Sequence, residues 1–139
     1  MAGYKVSKSL LKQLEEQLDE LFSKIDVDVE FTSHFFERLN DPRNKEPIKI
    51  SELRSLFKKV YREHRDIFDK NKKNLQAVLK DLSTDINIPF ILKWDEKNDE
   101  LDLVSKTVMR KKNFQTSNPV YSVENTNITY SQLKEKVKE

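Results

Sequence analysis

The sequence holds no cysteine, which excludes disulfides, thiolate-bound zinc and a cysteine nucleophile. Glycine is almost as scarce. Gly3 is the single one, so the glycine-rich loops that cradle nucleotide phosphates are ruled out. Only two histidines occur, His34 and His64, too far apart in the chain to suggest a histidine-based metal centre. No apolar run approaches the roughly 20 residues of a membrane helix, and Met1–Val6 lacks the apolar core of a secretion signal, so a cytosolic, non-membrane protein is expected. An excess of one charge sign is missing too. The 26 basic and 24 acidic residues leave a net charge of +2, so any polyanion site has to be a local patch.

What is present describes one domain. In 139 residues, 36% are hydrophobic and 36% charged, so the apolar side chains must concentrate on a few stripes beneath a densely charged surface. Leu10, Leu11, Leu14, Leu18, Leu21, Phe22 and Ile25 recur at helical spacing, predicting an amphipathic first helix. Its stripe suits packing within the domain or a short coiled-coil contact. Val27, Val29 and Phe31 alternate with acids and predict a short strand, after which Thr32 or Ser33 caps a second helix to about Asn40. Asp41–Asn44 has turn composition. Ser51 is the expected cap of a third helix whose apolar face runs from Leu53 to Phe68, and Leu75, Val78, Leu79 and Leu82 predict a fourth.

From Ile86 the period changes to two, and a hairpin spanning about 86–110 is expected, with Pro89 marking an edge or a bulge. Val27–Phe31 and Val120–Val123 are the candidates to complete its sheet. Gln115–Pro119 reads as a linker, and the Thr129-x-x-Gln132 capping pattern predicts a short C-terminal helix. The fold reading is therefore α+β: N-terminal helices packed on a small antiparallel β-sheet over 1–114, then a linker and short helical tail over 115–139.

Two constellations carry chemistry. His34 and Arg38, four apart, project from one side of the second helix. A near-neutral imidazole beside a permanent cation suits general acid–base attack on an RNA 2′-hydroxyl, with the guanidinium stabilising the phosphorane. The plainer alternative pairs Arg38 with Glu37 or Asp41. In the second, Lys106, Arg110, Lys111 and Lys112 cluster with Thr107. On a continuous strand Lys106 and Arg110 share a face, which suits a polyanion or, more simply, guards a strand edge. Residues 42–85 hold the basic excess of the chain, with Lys58, Lys59, Arg62 and Arg65 either extending a cationic surface or forming a solvated helix face. His64, on the apolar stripe, reads as a satisfied core histidine. The acids at 95–102 lack the spacing of a calcium loop and read as a solvated turn.

The segments Phe31–Asn44, Asp85–Phe90 and Lys106–Phe114 resemble a small protein family of tailed bacteriophages, marine ones included. The layout is also remotely similar to the barnase–EndoU–colicin–RelE group of metal-independent ribonucleases, BrnT-like toxins among them. There, helices bearing His-x-x-x-Arg precede a small basic sheet. This resemblance implies an RNA phosphodiesterase-type domain acting in the host cytoplasm or carried in a virion, without cofactor or metal. His34 is then the general base or acid, Arg38 and Arg110 the phosphate clamps and Lys106 the transition-state cation, while Thr107, Lys111, Lys112 and Arg43 contact the nucleic acid. The competing class is a non-catalytic virion or host-directed protein that docks on a phage structural or host protein through its first helix and its tail.

Overall fold

The first helix, α1 (Lys8–Phe22), begins where Ser7 turns extended and its hydroxyl accepts the Leu10 amide at 3.1 Å. Its Leu11, Leu14, Leu18 and Phe22 are buried, so the apolar stripe is used inside the domain and not on a partner. A 3₁₀ turn and a left-handed Asp26 (φ 58°) reverse the chain into β1 (Val27–Phe31). Thr32 then caps α2 (Ser33–Leu39), accepting the Phe35 amide at 3.0 Å. The third helix, α3 (Ile50–Glu63), starts one residue before Ser51: Glu52 reaches back to the Lys49 amide at 2.9 Å and closes the first turn, leaving Ser51 inside the helix. Helix α3 stops at His64, whose Nε2–H donates to the Ser122 carbonyl at 2.8 Å, and a 3₁₀ turn continues to Ile67. This computed structural model describes residues 5–124; the expected C-terminal helix lies outside them.

Five further strands follow: β2 (Gln76–Asp81), β3 (Ile86–Asp95), β4 (Glu100–Ser105), β5 (Met109–Arg110) and β6 (Val120–Val123). The fold is α+β, and α1 packs on the sheet as expected. The sheet is mixed, however, not antiparallel. In the order β1-β4-β3-β2-β6 the centre is antiparallel, while β1 joins β4 and β6 joins β2 in parallel. Strand β6 thus belongs to the folded body beyond the 115–119 connection.

Two expectations fail for physical reasons. The predicted fourth helix is β2. Leu75, Val78, Leu79 and Leu82 fit a helical spacing, but the segment pairs with β3 along its whole length, and Leu82 ends up half exposed in the turn. The predicted continuous strand over Lys106–Arg110 is broken. Between the pairs Phe90↔Ser105 and Asn87↔Met109, β3 has Ile88 and Pro89, while the opposing chain has Lys106, Thr107 and Val108. That extra residue is a β-bulge set opposite Pro89, which has no amide to offer. Arg110 pairs with core-facing Ile86, whereas Lys106 extends the register opposite Pro89, one position from core-facing Phe90. The two cations therefore leave the sheet on opposite faces.

The core lies between one sheet face and helices α1 and α3. Phe22 sits at its centre, with edge-on rings of Phe57, Tyr61 and Phe68 at 6.4, 5.3 and 5.5 Å. Among the described residues no helix is long and apolar enough to cross a membrane.

Helix α1 also closes the open edge of β1. The alternate residues of β1 bond to β4, leaving the Val29 and Phe31 amides pointing outward. Asp19 accepts the Val29 amide at 2.6 Å and Glu15 the Phe31 amide at 2.9 Å. The fit is geometric: four residues of helix rise about 6 Å and two residues of strand about 6.7 Å, so an i, i+4 pair of acids spans an i, i+2 pair of amides. Replacing Asp19 by Leu leaves the Val29 amide without a partner and is expected to destabilise the fold by about 1–3 kcal/mol in urea unfolding. Asp19→Asn keeps the acceptor and is expected to unfold within about 0.5 kcal/mol of wild type.

Candidate polyanion-binding cleft

Helix α2 and the 106–110 segment run side by side, tied at both ends. At one end the Thr32 hydroxyl donates to the Lys106 carbonyl at 2.8 Å. At the other, buried Asn44 accepts the Arg110 amide at 3.1 Å and donates to the Arg38 carbonyl at 2.8 Å. Asn87, also buried, holds the next stretch: its side-chain amide donates to the Lys111 carbonyl at 2.9 Å and to the Asp85 carbonyl at 3.0 Å. These two asparagines fix the walls of a cleft of about 650 Å³ between the C-terminal end of α2 and β5.

Of the residues proposed from sequence, Arg38, Arg43, Arg110, Lys111 and Lys112 line this cleft, joined by Lys45. Lys45 has a positive φ of 45°, uncommon for a lysine, at the exit of the Pro42–Asn44 turn. Asp41, Glu46 and Asp85 are the carboxylates present, so six cations face three anions. Lys45, Lys111 and Lys112 are exposed, and none makes an ion pair among the described residues. The other three cations are engaged. Arg38 Nη1 lies 3.2 Å from Asp41 Oδ2, and Arg43 grips the same carboxylate at 2.8–3.1 Å.

Arg110 is not a phosphate clamp. Its side chain is 14% exposed, and all five N–H donors are used. They go to both Glu52 oxygens and to the carbonyls of Glu46, Pro47 and Thr84, at 2.8–3.2 Å. It ties β5 to α3 and to the β2–β3 turn. The sequence offered no sign of this, because all five acceptors belong to segments distant in the chain and three are backbone carbonyls.

His34, Lys106 and Thr107 do not line the cleft. His34 stands one turn earlier on α2 with its side chain 53% exposed. Its Nε2 accepts from Arg38 Nε at 3.4 Å, and its Nδ1 lies 3.6 Å from Glu37 Oε1. A chain of contacts thus runs Glu37, His34, Arg38, Asp41, Arg43. Lys106 is exposed on the far side of the bulge.

A second electrostatic feature was not foreseen. The parallel register sets Asp28 opposite Asp102, and Glu30, Glu100 and Asp95 alternate onto the same sheet face. Carboxylate oxygens of Asp28, Glu30 and Asp102 lie within 4.8 Å of one another, as do those of Asp95, Glu100 and Asp102; among the described residues these are the spacings that suit a divalent cation. Burial, with crowding added to it, favours proton retention on this face. Asp19 is pushed up to about 7, chiefly by burial and further by Asp28 and Glu15. Glu30 is pushed up to about 7 by burial and by the adjacent Asp102, while Asp102 and Glu100 are raised by burial and by the charges of Asp28 and Asp95, the Glu30 hydrogen bond working against this at Asp102. Asp95 moves the other way, lowered by its hydrogen bonds to Asn98 in the turn.

No protein-family model, curated protein or solved structure matches the chain.

The acidic face gives the fold a defined pH response. Asp19 and Glu30 bind their protons more tightly folded than unfolded, so the stability they contribute is complete below the ordinary carboxylate range and is lost as pH rises through about 7. Urea midpoints are expected to fall between pH 5 and pH 8. Asp28→Asn combined with Glu30→Gln is expected to flatten that decline.

Proposed function

We propose that the cleft binds the phosphate backbone of a single-stranded nucleic acid, RNA in the first instance. The observation that carries this reading is the convergence of six cationic side chains on one concavity, three of them exposed lysines without ion-pair partners among the described residues. Lys111 and Lys112 follow β5 directly, and Lys45 faces them from the other wall. The volume is in the range of ordinary ligand clefts, which suits one or two nucleotides of a flexible strand. Backbone contact of this kind gives affinity without base readout.

A second reading, metal-independent cleavage, is favoured by one observation: the His34–Arg38 hydrogen bond links an exposed imidazole to a cleft cation. In it His34 acts as general acid or base, Arg38 stabilises the phosphorane charge and Lys106 supplies a further cation from beside the N-terminal end of α2. Arg110 serves by holding the wall in place. The remote layout resemblance to metal-independent ribonucleases agrees with an RNA ligand, and the phage resemblance with action in a host cytoplasm or virion.

Binding of a labelled single-stranded oligoribonucleotide, followed by anisotropy, is expected to weaken at least tenfold in Lys111→Glu/Lys112→Glu. Its logarithmic salt dependence in wild type is expected to have a slope of about −2, as three phosphate contacts on a single strand give. Salt-independent binding, or binding unchanged in the double variant, refutes the cleft. Cleavage in EDTA that disappears in both His34→Ala and Arg38→Ala establishes the second reading; an RNA left intact by wild type removes it.

A further inference from the structure

We propose that Asp41 is a resident substitute for the ligand's phosphate, and that nucleic acid binds by displacing it from Arg38 and Arg43. The inference rests on the reading of the cleft as a phosphate-backbone site.

Asp41 lines the cleft between its two arginines. Its Oδ2 receives Arg38 Nη1 at 3.2 Å, Arg43 Nε at 3.1 Å and Arg43 Nη2 at 2.8 Å, and its Oδ1 receives Arg43 Nε at 3.1 Å. Two guanidinium groups that face the concavity are thus spent on one internal anion. A carboxylate and a phosphodiester present the same recognition element, two oxygens sharing one negative charge, and a guanidinium fork engages either. The group already seated on Arg38 and Arg43 therefore has the chemistry of the proposed ligand.

The seat is releasable. The Arg43 side chain is 73% exposed and that of Arg38 38%, against 19% for Asp41, so water reaches both pairs from the guanidinium side and weakens them. Both pairings are local, joining residues two and three apart, so breaking them disturbs no long-range contact. Arg110 on the same cleft is the opposite case, largely enclosed and bonded through every donor to fixed partners. The cleft therefore holds one locked arginine that shapes it and two that an incoming phosphate can take over.

Asp41 has a second task that must be kept apart from this one. Its Oδ1 also accepts the Arg43 amide at 2.8 Å, capping the Pro42–Asn44 turn. Asparagine performs that task equally well but carries no charge to hold the arginines. Asp41→Asn thus preserves the turn and frees the guanidinium pair. Asp41→Ser, another good cap, provides an independent version of the same change.

The test is anisotropy of a labelled oligouridylate across a salt series, on full-length wild type, Asp41→Asn, Asp41→Ser, Asp41→Asn/Arg43→Ala and Lys111→Glu/Lys112→Glu, with inorganic phosphate as a competing arm. Both Asp41 variants are expected to bind roughly three- to tenfold more tightly, the scale of one added hydrogen bond at a water-exposed site. Their salt slope is expected to steepen by about 0.7–1.4, for one or two newly engaged phosphates. Arg43→Ala in the Asp41→Asn background is expected to abolish the gain. Inorganic phosphate at matched ionic strength is expected to compete better with the Asp41 variants than with wild type if a lone anion fills the seat, and no better if the strand itself is required; either supports displacement. Affinity and slope unmoved by both Asp41 variants, while Lys111→Glu/Lys112→Glu still weakens wild type, overturns the inference and leaves the cleft standing. Wild type that fails to bind the oligonucleotide overturns both.

Discussion

The Arg110 guanidinium is the tie on which this architecture turns. One side chain uses every donor it owns to join four segments: the 46–47 loop, the first turn of α3, the β2–β3 turn and, through its own backbone, β5. The loss of solvation that such burial imposes is met by two carboxylate oxygens and three carbonyls, the condition under which a buried charge is tolerated. Glu52 is in turn occupied with closing α3 at Lys49, so the helix start and the cleft wall are set by the same acid.

Charge in the folded chain is sorted in a way its near-neutral total conceals. The cations of the Pro42–Lys45 turn and of Lys111–Lys112 converge on one concavity, while the acids of α1, β1, β3 and β4 gather elsewhere, around the β1–β4 junction. The sorting comes from topology. A parallel pairing brings Asp28 against Asp102, and a single-residue bulge sends Lys106 and Arg110 to different faces. The acidic face then limits its own repulsion by retaining protons, and Asp19 and Glu15 draw on the remaining accepting capacity to cover an exposed strand edge.

Much of this was legible in the residues, and the failures have identifiable causes. Helices α1, α2 and α3 announce themselves by stripes that need no partner to be recognised, β1 by alternation, and β6 only as a segment an otherwise incomplete sheet could take up. Strand β2 was hidden because Leu75, Val78, Leu79 and Leu82 satisfy two periods, and only pairing with β3 decides between them. Of the cleft, the cationic side chains were visible as a local cluster; the pins that assemble it, Asn44 and Asn87, were not, since a buried asparagine looks like any turn residue until its partners are known. Arg110 was misjudged for the same reason: sequence displays a charge but not the carbonyls that consume it. Asp41 was seen only as a turn former and a plain partner for Arg38.

The parallel seam between β1 and β4 has a bearing on how the molecule comes into being. Thr32 meets Lys106 across 74 positions, and nothing nearer in the chain provides β1 with a neighbour on that side. Synthesis proceeds from the N-terminus, so α1 leaves the ribosome well before the strand that completes its floor. The nascent segment carries Leu11, Leu14, Leu18 and Phe22 without a place to put them, and ring closure over so long a span makes for slow acquisition of the native state. That leucine-rich stretch is accordingly the part of the nascent chain left longest without the surface that covers it.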